Sequence, residues 1–150
     1  MATHFKFKLE SLLRHRQFVE DSRQKEFAAV DKRLMEARQA ESRLREKHLR
    51  LAKELEENMQ APHPVSESGV YVTYLKCLSD QIEKQQEKVQ AVALVHLEKK
   101  TALLKAIKKR KTLERLKENQ ADQYHRSYLK KEQQVSDEIG IQQYRRKRLG

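Results

Sequence analysis

Both prolines of this 150-residue chain, and one of its three glycines, fall within ten residues, "QAPHPVSESG" at 60–69. The other glycines are Gly140 and Gly150. Proline fixes its own backbone and restricts the residue before it, so a helix is expected to stop near Gln60. Outside this stretch the chain has almost no residues that enforce a turn. It can therefore fold only into very long elements, or not fold at all. Charged residues make up 37%, as many as hydrophobic ones, and a disordered chain could share that balance.

Periodicity separates the two cases. Before the break, Phe27, Leu34, Glu41, His48 and Leu55 recur every seven residues, and Val30, Ala37, Leu44, Leu51 and Asn58 fill the alternate position. A looser stripe of Leu9, Leu12, Leu13, Phe18 and Val19 precedes them. After the break, Leu75, Ile82, Val89, His96 and Leu103 form one line; Leu78, Gln85, Val92, Lys99, Ala106 and Leu113 form the other. Heptads sustained this long predict an all-α, antiparallel two-helix coiled-coil hairpin, forming a single domain. Helix one is expected over about 5–60 (~84 Å at 1.5 Å per residue), a hinge over about 61–69, helix two over about 70–139, and a basic tail over 140–150. Ser66 or Ser68 is expected to cap helix two.

Residue numbers of facing pairs should sum to roughly 130 across such a short connection. Leu55 then lies near Leu75, Leu51 near Leu78, Ala37 near Val92 and Phe27 near Leu103. Everything beyond about His125 has no partner on helix one. A polar C-terminal helical overhang is predicted, with Val135 and Ile139 as its thin apolar line. Glu41, His48, Gln85, His96 and Lys99 dilute the seam, so modest stability is expected.

The single cysteine excludes an internal disulfide and fits a reducing compartment; Cys77 itself is expected to be a buried structural thiol. The N-terminal residues lack an apolar core of signal-peptide length, and no run approaches a membrane span, so a soluble, cytoplasmic protein is expected. The histidines His4, His15, His48, His63, His96 and His125 are scattered, and no two lie four apart as paired metal ligands on one helix face. No glycine-rich phosphate loop is present. No catalytic residue, metal site or cofactor is expected.

The formal charge is +11, and residues 97–117 alone carry 9 Lys/Arg against 2 Asp/Glu. A solvated face is the simplest reading of this run, and docking to an acidic protein surface comes next. Specific nucleic-acid binding is less favoured, since the nearest aromatic is Tyr124; a peripheral membrane contact comes last. Tyr71 and Tyr74, i and i+3 on one face and continued by Leu75 and Leu78, either pack the hairpin end or present an aromatic patch to a partner.

Three stretches give the chain a resemblance to a known family. They are "FKFKLESLLRHRQFVEDSRQKEF" at 5–27, "YVTYLKCLSDQIEKQQEKV" at 71–89 and "KKRKTLERLKENQADQYHRSYLKKEQQVSDEIGIQQYRRKR" at 108–148. Together with the length and the single mid-chain break, they resemble the FliJ family of bacterial flagellar type III export proteins. The resemblance implies a non-enzymatic antiparallel coiled coil, similar to the gamma stalk of F-type rotary ATPases. It implies insertion into the hexameric export ATPase and stimulation of it, contact with the membrane export gate, and in some members binding of export chaperones. Localisation would be cytoplasmic, at the inner face of the membrane through the export apparatus.

Carried onto this sequence, the ring-facing role falls on Phe5, Phe7, Leu9 and Leu12, with Lys130, Lys131, Glu132, Asp137, Glu138, Arg145, Arg146 and Arg148. The gate-facing role falls on Tyr71, Tyr74 and Leu78. Gly140 departs from an unbroken terminal helix and leaves open whether the tail is helical. The stalk of a virulence-type secretion system is the alternative function, and a basic nucleic-acid-binding coiled coil is the less favoured one.

Overall fold

The computed structural model describes residues 4–60 and 65–150. They form two helices, α1 (Glu10–Met59) and α2 (Val65–Leu149), which pack on each other as an all-α helical hairpin. α1 follows a turn at Lys8 and Leu9, where the Glu10 N–H donates to the Phe7 carbonyl at 3.2 Å. The first full helical bond runs from the Leu13 N–H to the Leu9 carbonyl at 2.9 Å. Glu10 sets a carboxylate at the positive end of the helix dipole. At the far end the Gln60 N–H reaches the Glu57 carbonyl at 3.3 Å, an i to i+3 closure that tightens the last turn.

α1 ends at Met59, as expected near Gln60, but both helices begin elsewhere than expected and α2 runs longer. α1 starts at Glu10 rather than near residue 5. Of the expected hinge, residues 61–64, which include His63 and both prolines, lie outside the described residues; residues 65–69 are the first turns of α2. Ser66 and Ser68 thus belong to the helix they were expected to cap. The N–H groups of a first turn have no intrahelical acceptor, so a helix can start directly after a proline in sequence. Gly69 does not stop it, and the Thr73 hydroxyl donates to the Gly69 carbonyl at 2.9 Å.

At the C-terminus α2 runs through Gly140 to Leu149, so the expected tail is helix. Glycine costs a helix about 1 kcal/mol relative to alanine, which weakens but does not break a segment rich in Lys, Gln, Glu and Arg. Arg146, Lys147 and Arg148 in the last turn complement the negative end of the dipole. A Cβ placed on Gly140 meets nothing within 4 Å. Gly140→Ala is therefore expected to stabilise the local helix by about 1 kcal/mol. Amide exchange around residue 140 should slow by about five-fold in this variant; unchanged rates would mean the segment is not helical in solution.

The chain divides into two compact units, Met1–Glu20 with Lys105–Gly150, and Asp21–Leu104. Within the second, Val30, Leu34 and Leu78 are buried. The other heptad positions of that unit are half-buried, apart from exposed Asn58. The diluted seam is held by polar partners. Gln85 donates to the Ala37 carbonyl at 3.0 Å, and His48 meets the Ser79 hydroxyl at 3.2 Å. His96 contacts Asp31 at 2.8 Å while its ring lies tilted against that of Phe27, with centroids 4.9 Å apart. Lys99 donates to Glu26 at 3.1 Å. That hydrogen bond first, and Arg23 second, hold the Glu26 carboxyl below its usual range. A lowered carboxylate contributes at neutral pH and loses its contribution as pH falls through the lowered value.

Paired numbers in this unit sum to 129 at Asn58–Tyr71, to 127 at His48–Ser79 and to 122 at Ala37–Gln85. The antiparallel register thus stands close to 130, with long polar side chains reaching along the seam. The Phe27 ring also lies against that of His96, and the Gln85 amide reaches the Ala37 carbonyl from a heptad before Val92.

In the other unit, Phe7, Leu13 and Ala106 are buried. Phe5 rests on Tyr124 with ring centroids 5.7 Å apart. Arg110 bonds Glu20 across the pair and Glu114 along its own helix at 2.7 Å; Lys117 meets Glu10 at 2.9 Å. The Glu20 bond first, then that of Glu114, stabilises the charged form of Arg110. Burial on α2 follows the heptad as far as Tyr124, and every residue from His125 to Gly150 is exposed.

Candidate partner-binding surfaces

The ring-facing residues inferred from sequence do not form one surface. Phe7 is 7% exposed, and Phe5 is half-buried on Tyr124, where it fastens the N-terminal segment to α2. They are packing residues in this structure. Leu9 and Leu12, at 39% and 37%, are open to solvent. Lys130, Lys131, Glu132, Asp137, Glu138, Arg145, Arg146 and Arg148 are all exposed on the unpaired end of α2.

The arrangement along that end has a cause. The two heptad lines of α2 continue past Tyr124 through Lys131, Glu138 and Arg145, and through Ser127, Gln134, Ile141 and Arg148. The face that carried the seam becomes polar where α1 gives out. Past Tyr124 the apolar residues stand mostly off those lines, Ile141 excepted. Tyr124, Tyr128 and Val135, with Lys131 and Glu132, line one shallow recess. Ile141 and Tyr144, with Asp137, Gly140, Arg145 and Arg148, line another. The Tyr128 hydroxyl bonds Glu132, which keeps its proton and pushes its pKa above the usual tyrosine value. Sequence reasoning found the charges and the Val135–Ile139 line but passed over Tyr128, Ile141 and Tyr144. The i, i+3 spacing of Ile141 and Tyr144 was the available signal.

The gate-facing set also divides. Leu78 is the most buried residue, 2% exposed, and serves the seam. Tyr71 is half-buried, its hydroxyl 3.4 Å from the Asn58 amide. Tyr74 is 41% exposed, with the Lys47 ammonium 5.5 Å from its ring centroid. The accessible surface beside it comprises Gly69, Val70, Thr73 and Cys77. Cys77 is exposed, contrary to the buried thiol expected. It precedes Leu78, and a step of about 100° per residue turns it off the seam.

Among the described residues, no helix is long and apolar enough to cross a membrane, and no three His, Cys, Asp or Glu side chains converge as a metal site. Comparison with curated proteins and with solved structures gives no match. The family model for the Flagellar FliJ protein matches residues 5–149. That match spans both helices and the exposed end of α2, and the chain belongs to the flagellar FliJ family of export-related proteins.

Proposed function

We propose that this protein is a stalk and coupling subunit of the flagellar type III export apparatus, which enters the hexameric export ATPase and stimulates it. One observation carries the reading: α2 continues as helix for more than twenty residues past its last partner, with every side chain exposed and the former seam face turned to charge. A projecting polar helix of that kind suits a pore lined by several identical subunits. Each exposed ion pair there is worth only about 0–1 kcal/mol, so contacts can be made and released in turn. The ring-facing groups are Lys130, Lys131, Glu132, Asp137, Glu138, Arg145, Arg146 and Arg148, joined by Tyr128 and Tyr144; Leu9 and Leu12 are the exposed apolar residues of the N-terminal segment.

Tyr74, flanked by Val70 and Cys77, is the residue assigned to the membrane export gate, and export chaperones are further candidate partners. The protein itself carries out no reaction. Localisation in the cytoplasm, at the inner face of the membrane, follows from those partners. The flagellar family match favours the flagellar ATPase over its virulence-type counterpart.

The test is a titration into the cognate ATPase. Hydrolysis and the hexamer population should both rise with added protein. The Arg145→Ala, Arg146→Ala, Arg148→Ala triple variant should need about ten-fold more protein for half-maximal effect, with three weak contacts removed. A flat titration with the intact protein would count against the ring assignment.

A further inference from the structure

The basic charge of the chain is not shared evenly. The unit Met1–Glu20 with Lys105–Gly150 carries 18 Lys/Arg against 8 Asp/Glu, whereas Asp21–Leu104 carries 15 against 14. The face of α2 over residues 105–117 is the most one-sided part of the first unit. Its exposed residues are Lys105, Lys108, Lys109, Lys111 and Arg115, with Thr112 and Leu116 among them. The acid in this stretch, Glu114, is half-buried and held by Arg110. Arg110 and Lys117 are turned to Glu20 and Glu10. Pairing with α1 thus uses the inner charges. Among the described residues, none of the five outer cations is in an ion pair.

Lys105, Lys108, Lys111 and Arg115 stand three or four residues apart, in one line about 15 Å long at 1.5 Å per residue. Like charges at these spacings repel and weaken a helix. Packing of the hairpin gains nothing from that arrangement, since these side chains point away from the seam.

We propose that this face is a docking surface for an anionic phospholipid bilayer. A straight helix offers a straight line of charge, and such a line meets a plane along its whole length. Four of the five cations are lysines, compact point charges suited to a diffuse headgroup layer; paired recognition of individual carboxylates favours the arginine fork. Residues 105–117 contain no aromatic side chain on which a nucleic-acid base could stack. Leu116, 37% exposed at the edge of the face, can enter the headgroup region without requiring a deep insertion. This contact is direct, and is separate from any membrane association through the export gate.

The test uses the intact protein with vesicles of phosphatidylcholine alone and vesicles containing one part phosphatidylglycerol to two parts phosphatidylcholine. Sedimentation should recover the protein with the anionic vesicles only, and added salt should release it. Each cation near such a surface changes partitioning by about five-fold. The Lys105→Gln, Lys108→Gln, Lys111→Gln, Arg115→Gln variant should therefore bind roughly several hundred-fold more weakly, with its helical circular dichroism unchanged. Lys105→Arg, Lys108→Arg, Lys111→Arg should retain binding.

Equal partitioning of the glutamine variant and the intact protein overturns the proposal. So does loss of vesicle binding on Arg145→Gln, Arg146→Gln, Arg148→Gln with the face intact, which assigns the contact to the helix end. Displacement of the protein from vesicles by a sub-stoichiometric single-stranded oligonucleotide assigns the face to nucleic acid instead. ATPase stimulation by the glutamine variant should be unchanged, so failure here and failure of the ring reading are distinguishable.

Discussion

Truncation after Ser127 should abolish stimulation of the export ATPase while leaving the hairpin's unfolding almost untouched. The deleted residues, 128–150, are all exposed, so their loss removes no seam contact. Tyr124 stays in place to receive Phe5, with a further turn of helix retained beyond it. The midpoint of thermal unfolding should move by no more than about 2 °C. Circular dichroism has an independent expectation. The deletion takes 22 helical residues, 128–149, out of the 50 and 85 of the two helices, so about one sixth of the helical signal should disappear. A helix of this length is marginal alone, because nucleation fixes several residues for one hydrogen bond. Here α2 is already nucleated by its packed portion, and the exposed end has only to propagate. Retained stimulation by the truncated protein would remove the projecting helix from the mechanism. Lost stimulation with a collapsed melting curve would show instead that the end supports the fold.

The heptads made most of the fold legible. Val30, Leu34 and Leu78 stand at repeat positions and are buried, and the end of pairing near His125 followed from counting residues back from the prolines. The ends of α2 were less legible because they depend on differences of about 1 kcal/mol at Gly69 and Gly140, which a favourable neighbourhood overrides. Charge pairing was not legible at all. With 33 bases and 22 acids, many pairings fit the same sequence. Only the geometry selects Arg110 with Glu20 and Lys117 with Glu10, and leaves Lys105, Lys108 and Lys111 without an ion pair among the described residues.

For the candidate sites, the exposed charges between Lys130 and Arg148 were read correctly as lying past the seam, because polarity without a partner is a direct consequence of the register. Phe7 and Leu78, given partner roles by the resemblance, are buried. An apolar side chain that packs inside and one that waits for a partner look alike in sequence. Leu78 already held a seam position, and its burial follows from that assignment.

The same distinction gives the second large expected effect. Leu78→Ala should destabilise the protein by about 2–3 kcal/mol, the lower part of the range for buried leucines. The loss combines transfer of the missing methyl groups with the void they leave, but a two-helix seam lies close to solvent, so water or neighbouring side chains can relieve part of the second cost. Urea unfolding should show a lower midpoint with an unchanged slope, and the thermal midpoint should fall by about 8 °C. Tyr74→Ala removes a side chain that is 41% exposed and one cation–π contact with Lys47, so it should cost less than about 1 kcal/mol. In a gate-binding assay the order reverses. Tyr74→Ala should weaken binding with the fold intact, whereas Leu78→Ala should bind normally when corrected for its folded fraction. Leu78→Met, similar in volume, should restore most of the stability and show gate binding equal to the parent. If Leu78→Met binds poorly while remaining folded, Leu78 touches the gate directly, and the burial seen here opens on binding.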